Sequence, residues 1–225
     1  MRLLAGTVTA LLAVAGSSSQ APDVGTITGR VTLTTAVRGV PLASNVYQPR
    51  AVGRHEPGQG QEIQNVVVYL KGAAFQGVLP TARRVVEQRN EAFAPRVTVV
   101  TRGSVVAFPN DDPYFHNVFS LSRAGTFDLG RYRQGQTREQ RFAKPGLIKV
   151  FCHIHSHMSA SIMVLDHPYF AIPRVDGSFT LPDVPAGKYT IVGWHERVGE
   201  RSGIIDVQGG RTASIDLSLP VPDAQ

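Results

Sequence analysis

Short runs of alternating apolar and polar residues, separated by turns rich in glycine and proline, make up most of this chain. Residues 25–33 (Gly-Thr-Ile-Thr-Gly-Arg-Val-Thr-Leu) alternate in this way, which predicts a strand with one buried face. Residues 65–70 (Asn-Val-Val-Val-Tyr-Leu) are largely apolar and β-branched, which predicts a strand buried on both faces. Further strands are predicted at 83–89, 96–100, 103–108, 116–120, 127–130, 138–142, 147–152, 160–165, 176–181, 188–194, 202–207 and 212–217. No segment has a convincing helical stripe, so the sequence predicts an all-β protein.

The strands divide into a middle set and two terminal sets. Residues 83–167 hold enough strands for one antiparallel β-sandwich. Neither 25–80 nor 169–219 supplies a full sandwich by itself, which favours one second sandwich built from both, with the middle domain inserted between them. Two domains in tandem are the alternative. Residues 47–62 are rich in proline, glycine and glutamine and are predicted to form a loop.

The stretch after residue 168 carries a recognisable pattern of its own. Asp176-Gly177 precedes an apolar strand, Pro182 ends that strand, and Gly187-Lys188-Tyr189 opens the next one. This pattern resembles the carboxypeptidase-regulatory or transthyretin-like β-sandwich. The resemblance names no ligand for this domain, because a shared fold does not fix a function.

The first residues predict export. A positive start at Arg2, an apolar run from Leu3 to Ala15 and a small polar stretch ending at Ala21 have the layout of a secretory signal peptide, residues 1–21. The apolar run is shorter than the roughly 20 residues that span a bilayer. The mature protein is therefore expected to be periplasmic or secreted, with no membrane span. The formal charge is +6, but the arginines are scattered, so no nucleic-acid surface is predicted.

Cys152 is the one cysteine of the chain, and it opens a loop rich in histidine. An exported protein with one thiol cannot form an internal disulfide, so this thiol is either a buried inert group or a metal ligand. The loop reads Cys152-His-Ile-His155-Ser-His-Met158 and offers a thiolate, an imidazole and a thioether from one turn. His116, after a predicted strand and the turn that ends it, offers a second imidazole. Such a mixed donor set suits both oxidation states of copper.

These residues resemble those of the cupredoxins, with the loop spacing of amicyanin. The resemblance covers about residues 83–167 and includes the Cys-x2-His-x2-Met loop and the pair His116-Asn117. Its other matches are Phe108-Pro109-Asn110, Phe127, Gly130 and Pro145-Gly146. The resemblance implies a Greek-key β-sandwich and one type 1 copper held by His116, Cys152, His155 and Met158. It also implies that Asn117 ties the two ligand segments together.

The resemblance implies a one-electron carrier between redox protein partners that the sequence does not identify. A copper carrier, or a structural copper module without redox turnover, is the alternative, in which His153 and His157 would assist metal capture. An enzyme is not expected, because the trinuclear site of a multicopper oxidase needs His-x-His pairs and a His-Cys-His, whereas here His116 has no His-x-His partner and Phe151 precedes Cys152. The chain also has no nucleophile or nucleotide motif.

The remaining polar groups receive structural interpretations. His153 is expected to point outward, opposite Cys152, and His157 to lie at the exposed rim. His55 and His167 are predicted to be surface residues, and Trp194-His195 to be structural. The carboxylates of Asp111 and Asp112 are expected to shape the turn that holds them.

Overall fold

The computed structural model describes residues 23–34 and 62–219. Within these ranges the chain forms strands and one short 3-10 turn, Ile63–Asn65, and the predicted all-β sandwich class is confirmed. No helix in the described ranges has the length and apolar character needed to cross a membrane. The predicted leader, most of the predicted loop at 47–62, and His55 lie outside the described residues.

Strands from both ends of the chain form one sandwich, here called the outer sandwich. Its strands are β1 (Val24–Leu33), β2 (Val66–Lys71), β13 (Phe170–Ala171), β14 (Ser178–Pro185), β15 (Gly187–His195), β16 (Gly199–Val207), β17 (Thr212–Ser214) and β18 (Leu217–Leu219). One sheet has the order β14-β1-β17, with β18 pairing farther along β1, and the other has the order β13-β2-β15-β16. Apolar side chains from both sheets, among them Ile27, Leu70, Leu181 and Ile191, fill the space between them.

Strands from the centre of the chain form a second sandwich, here called the middle sandwich. They are β3 (Arg83–Val85), β4 (Glu87–Arg89), β5 (Ala92–Ala94), β6 (Val97–Thr101), β7 (Val105–Pro109), β8 (His116–Ser122), β9 (Gly125–Tyr132), β10 (Thr137–Arg141), β11 (Gly146–Phe151) and β12 (Ser159–Leu165). Its sheets have the orders β10-β7-β3 and β6-β12-β11-β8-β9, and β4 and β5 form a hairpin beside them. Phe108, Val118, Ile148 and Ile162 lie in the core between the sheets.

The pairing of β1 and β2 shows how the two sandwiches follow each other along the chain. β1 pairs with β14, β17 and β18, and β2 pairs with β13 and β15, so these early strands join late ones. The chain leaves the outer sandwich after β2, builds β3 to β12, and returns at β13. The early strands β1 and β2 and the late strands β13 to β18 therefore share the same two sheets.

The two sandwiches pack through one face of each. Val67 of β2 and Trp194 of β15 meet Val97 and Val99 of β6 and Met163 of β12 in a separate apolar cluster. The outward residues of β2 are therefore covered as well as its inward ones, and its burial on both faces agrees with the sequence prediction. His167, between β12 and β13, is only 4% exposed, so the prediction that it is a surface residue is wrong. It stacks on Tyr169, and its Nδ1 accepts the backbone N–H of that residue.

Candidate metal centre

Three predicted ligands meet at one end of the middle sandwich. His116 opens β8, and Cys152 follows β11 directly, where β8 and β11 pair at Phe119 and Phe151. His155 lies in the loop between β11 and β12, so two neighbouring strands and one connecting loop bring the three side chains together. The pairing of strands distant in sequence explains why His116, 36 residues before Cys152, is its neighbour in space.

The donor atoms of these side chains form a compact triangle. Nδ1 of His116 lies 3.8 Å from Sγ of Cys152 and 3.0 Å from Nδ1 of His155, and the remaining side, from Sγ to Nδ1 of His155, is 4.0 Å. Side chains this close together could hold one metal ion between them, and copper accepts such a set of two imidazoles and one thiolate.

Met158 closes the loop on the buried side. It is 1% exposed and belongs to the same core cluster as Cys152, and its backbone N–H donates to the carbonyl of His155 at 3.0 Å. The structure therefore keeps the fourth predicted ligand in the same turn as two of the others. A thioether in this environment suits the long and weak axial bond of copper sites with two imidazoles and one thiolate.

The surroundings of Cys152 favour the thiolate that a soft metal requires. Burial raises the pKa of this thiol. The hydrogen bond with His116 lowers it, as do hydrogen bonds from backbone N–H groups, of which that of Asn117 has the largest effect. Together these bonds outweigh burial and leave the pKa below its ordinary value. Because the thiolate is the form that ligates metals, a shift in this direction favours metal binding.

The pKa values of the two imidazoles shift in opposite directions. Burial lowers the pKa of His116, but the hydrogen bonds to Cys152 and Asp112 outweigh it and raise the pKa above its ordinary value. Burial also lowers the pKa of His155. The charge of Glu91 opposes this effect, whereas those of His116 and His157 add to it. The pKa of His155 therefore lies below its ordinary value. His155 is therefore the imidazole of the pair that competes less with protons for a metal ion.

The carboxylate of Asp112 fixes the ring of His116, although the sequence predicted for it only a role in a turn. Nε2 of His116 donates to Oδ2 of Asp112 at 2.8 Å, and both side chains are buried. A carboxylate behind a metal-binding imidazole fixes the tautomer of the ring and raises its basicity. The backbone N–H of Asp112, rather than its carboxylate, contributes to the turn, because it donates to Oδ1 of Asn110. Its position four residues before His116 is the one signal that could have indicated the second role.

Asn117 joins the two ligand segments, as the resemblance implies. Its Oδ1 accepts the backbone N–H of His153 at 3.4 Å, and its Nδ2 donates to Asp128 at 2.6 Å. The ring of His153 points outward, as predicted, and stacks on Phe119 with the ring centres 3.7 Å apart.

His157 lies at the rim, as predicted, but it has a contact that the sequence did not indicate. Its Nε2 is 3.4 Å from Oε2 of Glu91, on the β4–β5 hairpin. No local pattern in the sequence links these two residues.

Comparisons with known proteins found only partial similarity to this chain. The chain matches no family model and no curated protein. Among solved structures, it is similar to a copper-containing nitrite reductase from Thermus scotoductus SA-01, with 26% identity, 41% of this chain and 24% of that chain covered, and a TM-score of 0.34. A purple cupredoxin from Nitrosopumilus maritimus is 22% identical; the match covers 37% of this chain and 98% of that chain, with a TM-score of 0.33. A variant of amicyanin in its Cu(I) form is 16% identical; the match covers 43% of this chain and 90% of that chain, with a TM-score of 0.34. The transthyretin-like character of the outer sandwich stays a prediction.

Proposed function

We propose that this protein is an exported type 1 copper protein that carries single electrons between redox proteins. The observation that carries the proposal is the triangle of His116 Nδ1, His155 Nδ1 and Cys152 Sγ, with sides of 3.0–4.0 Å, together with a buried Met158 in the same loop. Copper bound to such a set supplies one-electron chemistry between Cu(I) and Cu(II). Residues 1–21 support export through their predicted signal-peptide pattern.

The contacts around the triangle support a carrier rather than an enzyme. Asp112 holds His116 from behind, and Asn117 holds the backbone of the ligand loop at His153. Side chains fixed in this way change little when the charge of a bound metal changes, which favours electron transfer. Met158, the proposed fourth ligand, is buried in the same loop, whereas an enzyme that binds substrate at the metal keeps an open coordination position.

An apolar surface around His155 supports contact with a protein partner. Tyr114, Phe115 and Ile154 are 50%, 58% and 38% exposed, and together with His155 and Arg131 they line a shallow depression. Exposed apolar groups next to one another mark contact sites on soluble proteins. The edge of the metal centre would then meet the partner through the ring of His155.

The alternative function, copper capture and delivery, requires His153 and His157 to be available for metal. His153 stacks on Phe119, and His157 contacts Glu91, so both rings have other partners. We therefore favour electron transfer. With copper in excess, the electron-carrier function predicts that a variant with both histidines replaced by glutamine still binds one copper per chain, although with lower affinity. Copper delivery predicts that the same variant no longer reaches one copper per chain.

A visible absorption spectrum of the Cu(II)-loaded mature protein tests the proposal. We expect one copper per chain, an intense blue colour from the Cys152 thiolate, and reversible bleaching by ascorbate. Cys152→Ser abolishes the colour, and Met158→Leu keeps it while shifting the reduction potential. A colourless copper complex, or a Cys152→Ser variant with the wild-type spectrum, would contradict the proposal.

Electron self-exchange between copies of the protein tests the apolar surface without a known partner. Phe115→Ser should slow exchange, measured by NMR line broadening of mixed Cu(I) and Cu(II) samples. Leu121→Ser is the matched control, because Leu121 is 78% exposed at the opposite end of β8 from His116. Equal rates for the two variants would show that the surface around His155 has no role in contact.

A further inference from the structure

The β4–β5 hairpin turns in a way that is unusual for its sequence. Arg89 pairs with Ala92, so Asn90 and Glu91 alone form the turn, and their φ angles are 55° and 54°. Two positive φ angles define the turn type in which asparagine suits the first position and glycine the second. A side chain at the second position is sterically unfavourable, and residues held in such conformations cluster at functional sites.

The backbone of this turn holds the carboxylate behind the metal centre. The N–H groups of Asn90 and Glu91 donate to Asp112 at 2.6 and 2.8 Å, and Asp112 is 4% exposed. Asp112 in turn accepts the Nε2–H of His116 at 2.8 Å. The turn therefore fixes the direction in which Nδ1 of His116 faces the site.

The side chain of Glu91 reaches the other ligand segment. Its carboxylate is 13% exposed and lies 3.4 Å from Nε2 of His157, which stands between His155 and Met158. Glycine at position 91 would fit the turn better and would still donate its N–H to Asp112. It could not contact His157, which gives a reason for glutamate at an unfavourable φ.

We propose that Glu91 is a positioning residue that ties both ligand segments to one turn. Its N–H acts on His116 through Asp112, and its carboxylate acts on the Cys152–Met158 loop through His157. The inference rests on the proposed copper function, because it concerns how tightly the preformed triangle holds the metal. Partners behind metal ligands typically change metal affinity by about 10- to 100-fold when they are removed.

Glu91→Gly separates the two contributions, because it keeps the turn and the N–H but removes the carboxylate. We expect the metal-free variant to melt at the wild-type temperature or above it, and to bind Cu(II) at least about tenfold more weakly in competition with a chelator. Glu87→Gln is the matched control, since this exposed carboxylate lies on the same hairpin and pairs with Arg89. It should leave both the melting temperature and the Cu(II) affinity unchanged.

A double-mutant cycle identifies the contact through which Glu91 acts. His157→Gln should weaken Cu(II) binding by about the same factor as Glu91→Gly, and the double variant should be no weaker than either. Wild-type affinity in Glu91→Gly, or fully additive losses in the double variant, would overturn the inference. A metal-free Glu91→Gly protein that melts at a lower temperature would show a structural role only and would also overturn it. A wild-type protein that binds no copper would instead reject the proposed function.

Discussion

Glu196 is the buried charge that connects the two sandwiches, and its removal should destabilise the protein measurably. It follows β15 of the outer sandwich, and its side chain is 6% exposed. Its Oε2 accepts hydrogen bonds from Ser161 at 2.8 Å and from Lys149 at 3.1 Å, and Arg96 donates to Oε1. Breaking a buried ion pair by removing one partner costs about 3–5 kcal/mol.

The surroundings of Glu196 indicate that Glu196→Gln costs less free energy of unfolding than the breaking of a fully buried ion pair. Lys149 and Arg96 are 38% and 49% exposed, so water can solvate both cations once the carboxylate is gone. Lys149 also keeps its hydrogen bond to Ser161 at 2.8 Å. We therefore expect a loss of about 2 kcal/mol in the free energy of unfolding, close to that of one or two hydrogen bonds to a charged group.

Urea denaturation of the metal-free protein at pH 7 measures this loss. The matched control is Glu200→Gln, since Glu200 contacts Lys71 at 2.8 Å but both side chains are about half exposed. Exposed pairs of this kind contribute less than about 1 kcal/mol. If Glu196→Gln costs no more than Glu200→Gln, the carboxylate does not hold the sandwiches together and the reasoning is refuted.

The stability difference between wild type and Glu196→Gln should also depend on pH. Burial raises the pKa of Glu196, but Ser161, Arg96 and Lys149 outweigh burial and hold the pKa below its ordinary value of 4.5. A carboxylate with a depressed pKa in the folded state contributes its full stability above the pKa of the unfolded state and loses it as the pH falls through the folded pKa. The stability difference between wild type and Glu196→Gln should therefore be constant from pH 7 to about pH 5.5 and shrink below pH 4.5.

Two further substitutions test the cores. Tyr132→Phe should cost about 2 kcal/mol in urea denaturation, because the buried hydroxyl donates to the carbonyl of Phe108 at 2.9 Å and accepts from Gln88 at 2.5 Å; an unchanged midpoint would show that water replaces it. Gly29→Ala should reduce the yield of folded protein or lower its melting temperature by several degrees, because its Cβ would lie 1.8 Å from the carbonyl oxygen of Ile215. A wild-type melting temperature would contradict this close approach.

Most strands could be predicted because one covered face leaves an alternating pattern in the sequence. The prediction failed where strands are very short. β5 and β13 have three and two residues, which is too few for a pattern. The predicted strand 83–89 is divided at Val86, which is fully buried and donates its N–H to the carbonyl of Ala107. Nothing in the sequence Arg-Arg-Val-Val-Glu-Gln-Arg marks such a change of partner.

The ligands of the candidate centre could be proposed from spacing, whereas their supporting groups could not. Three of the four proposed ligands lie within seven residues, so one loop contains most of the pattern. Glu91 supports that loop from a hairpin far from it in the sequence, and only the tertiary fold brings it there. The burial of His167, which stacks on Tyr169, was also missed.

The outer sandwich contributes no proposed ligand, but it holds the two strands from which the ligand loop emerges. Lys149 of β11 and Ser161 of β12 pair directly across the sheet, and Glu196 bonds to both. These residues stand three positions before Cys152 and three positions after Met158. Glu196 therefore fixes the base of the loop, while Asn117 and Glu91 hold its free part. Because three separate elements restrain one loop, Glu196→Gln should weaken copper binding as well as folding, although the carboxylate touches no proposed ligand.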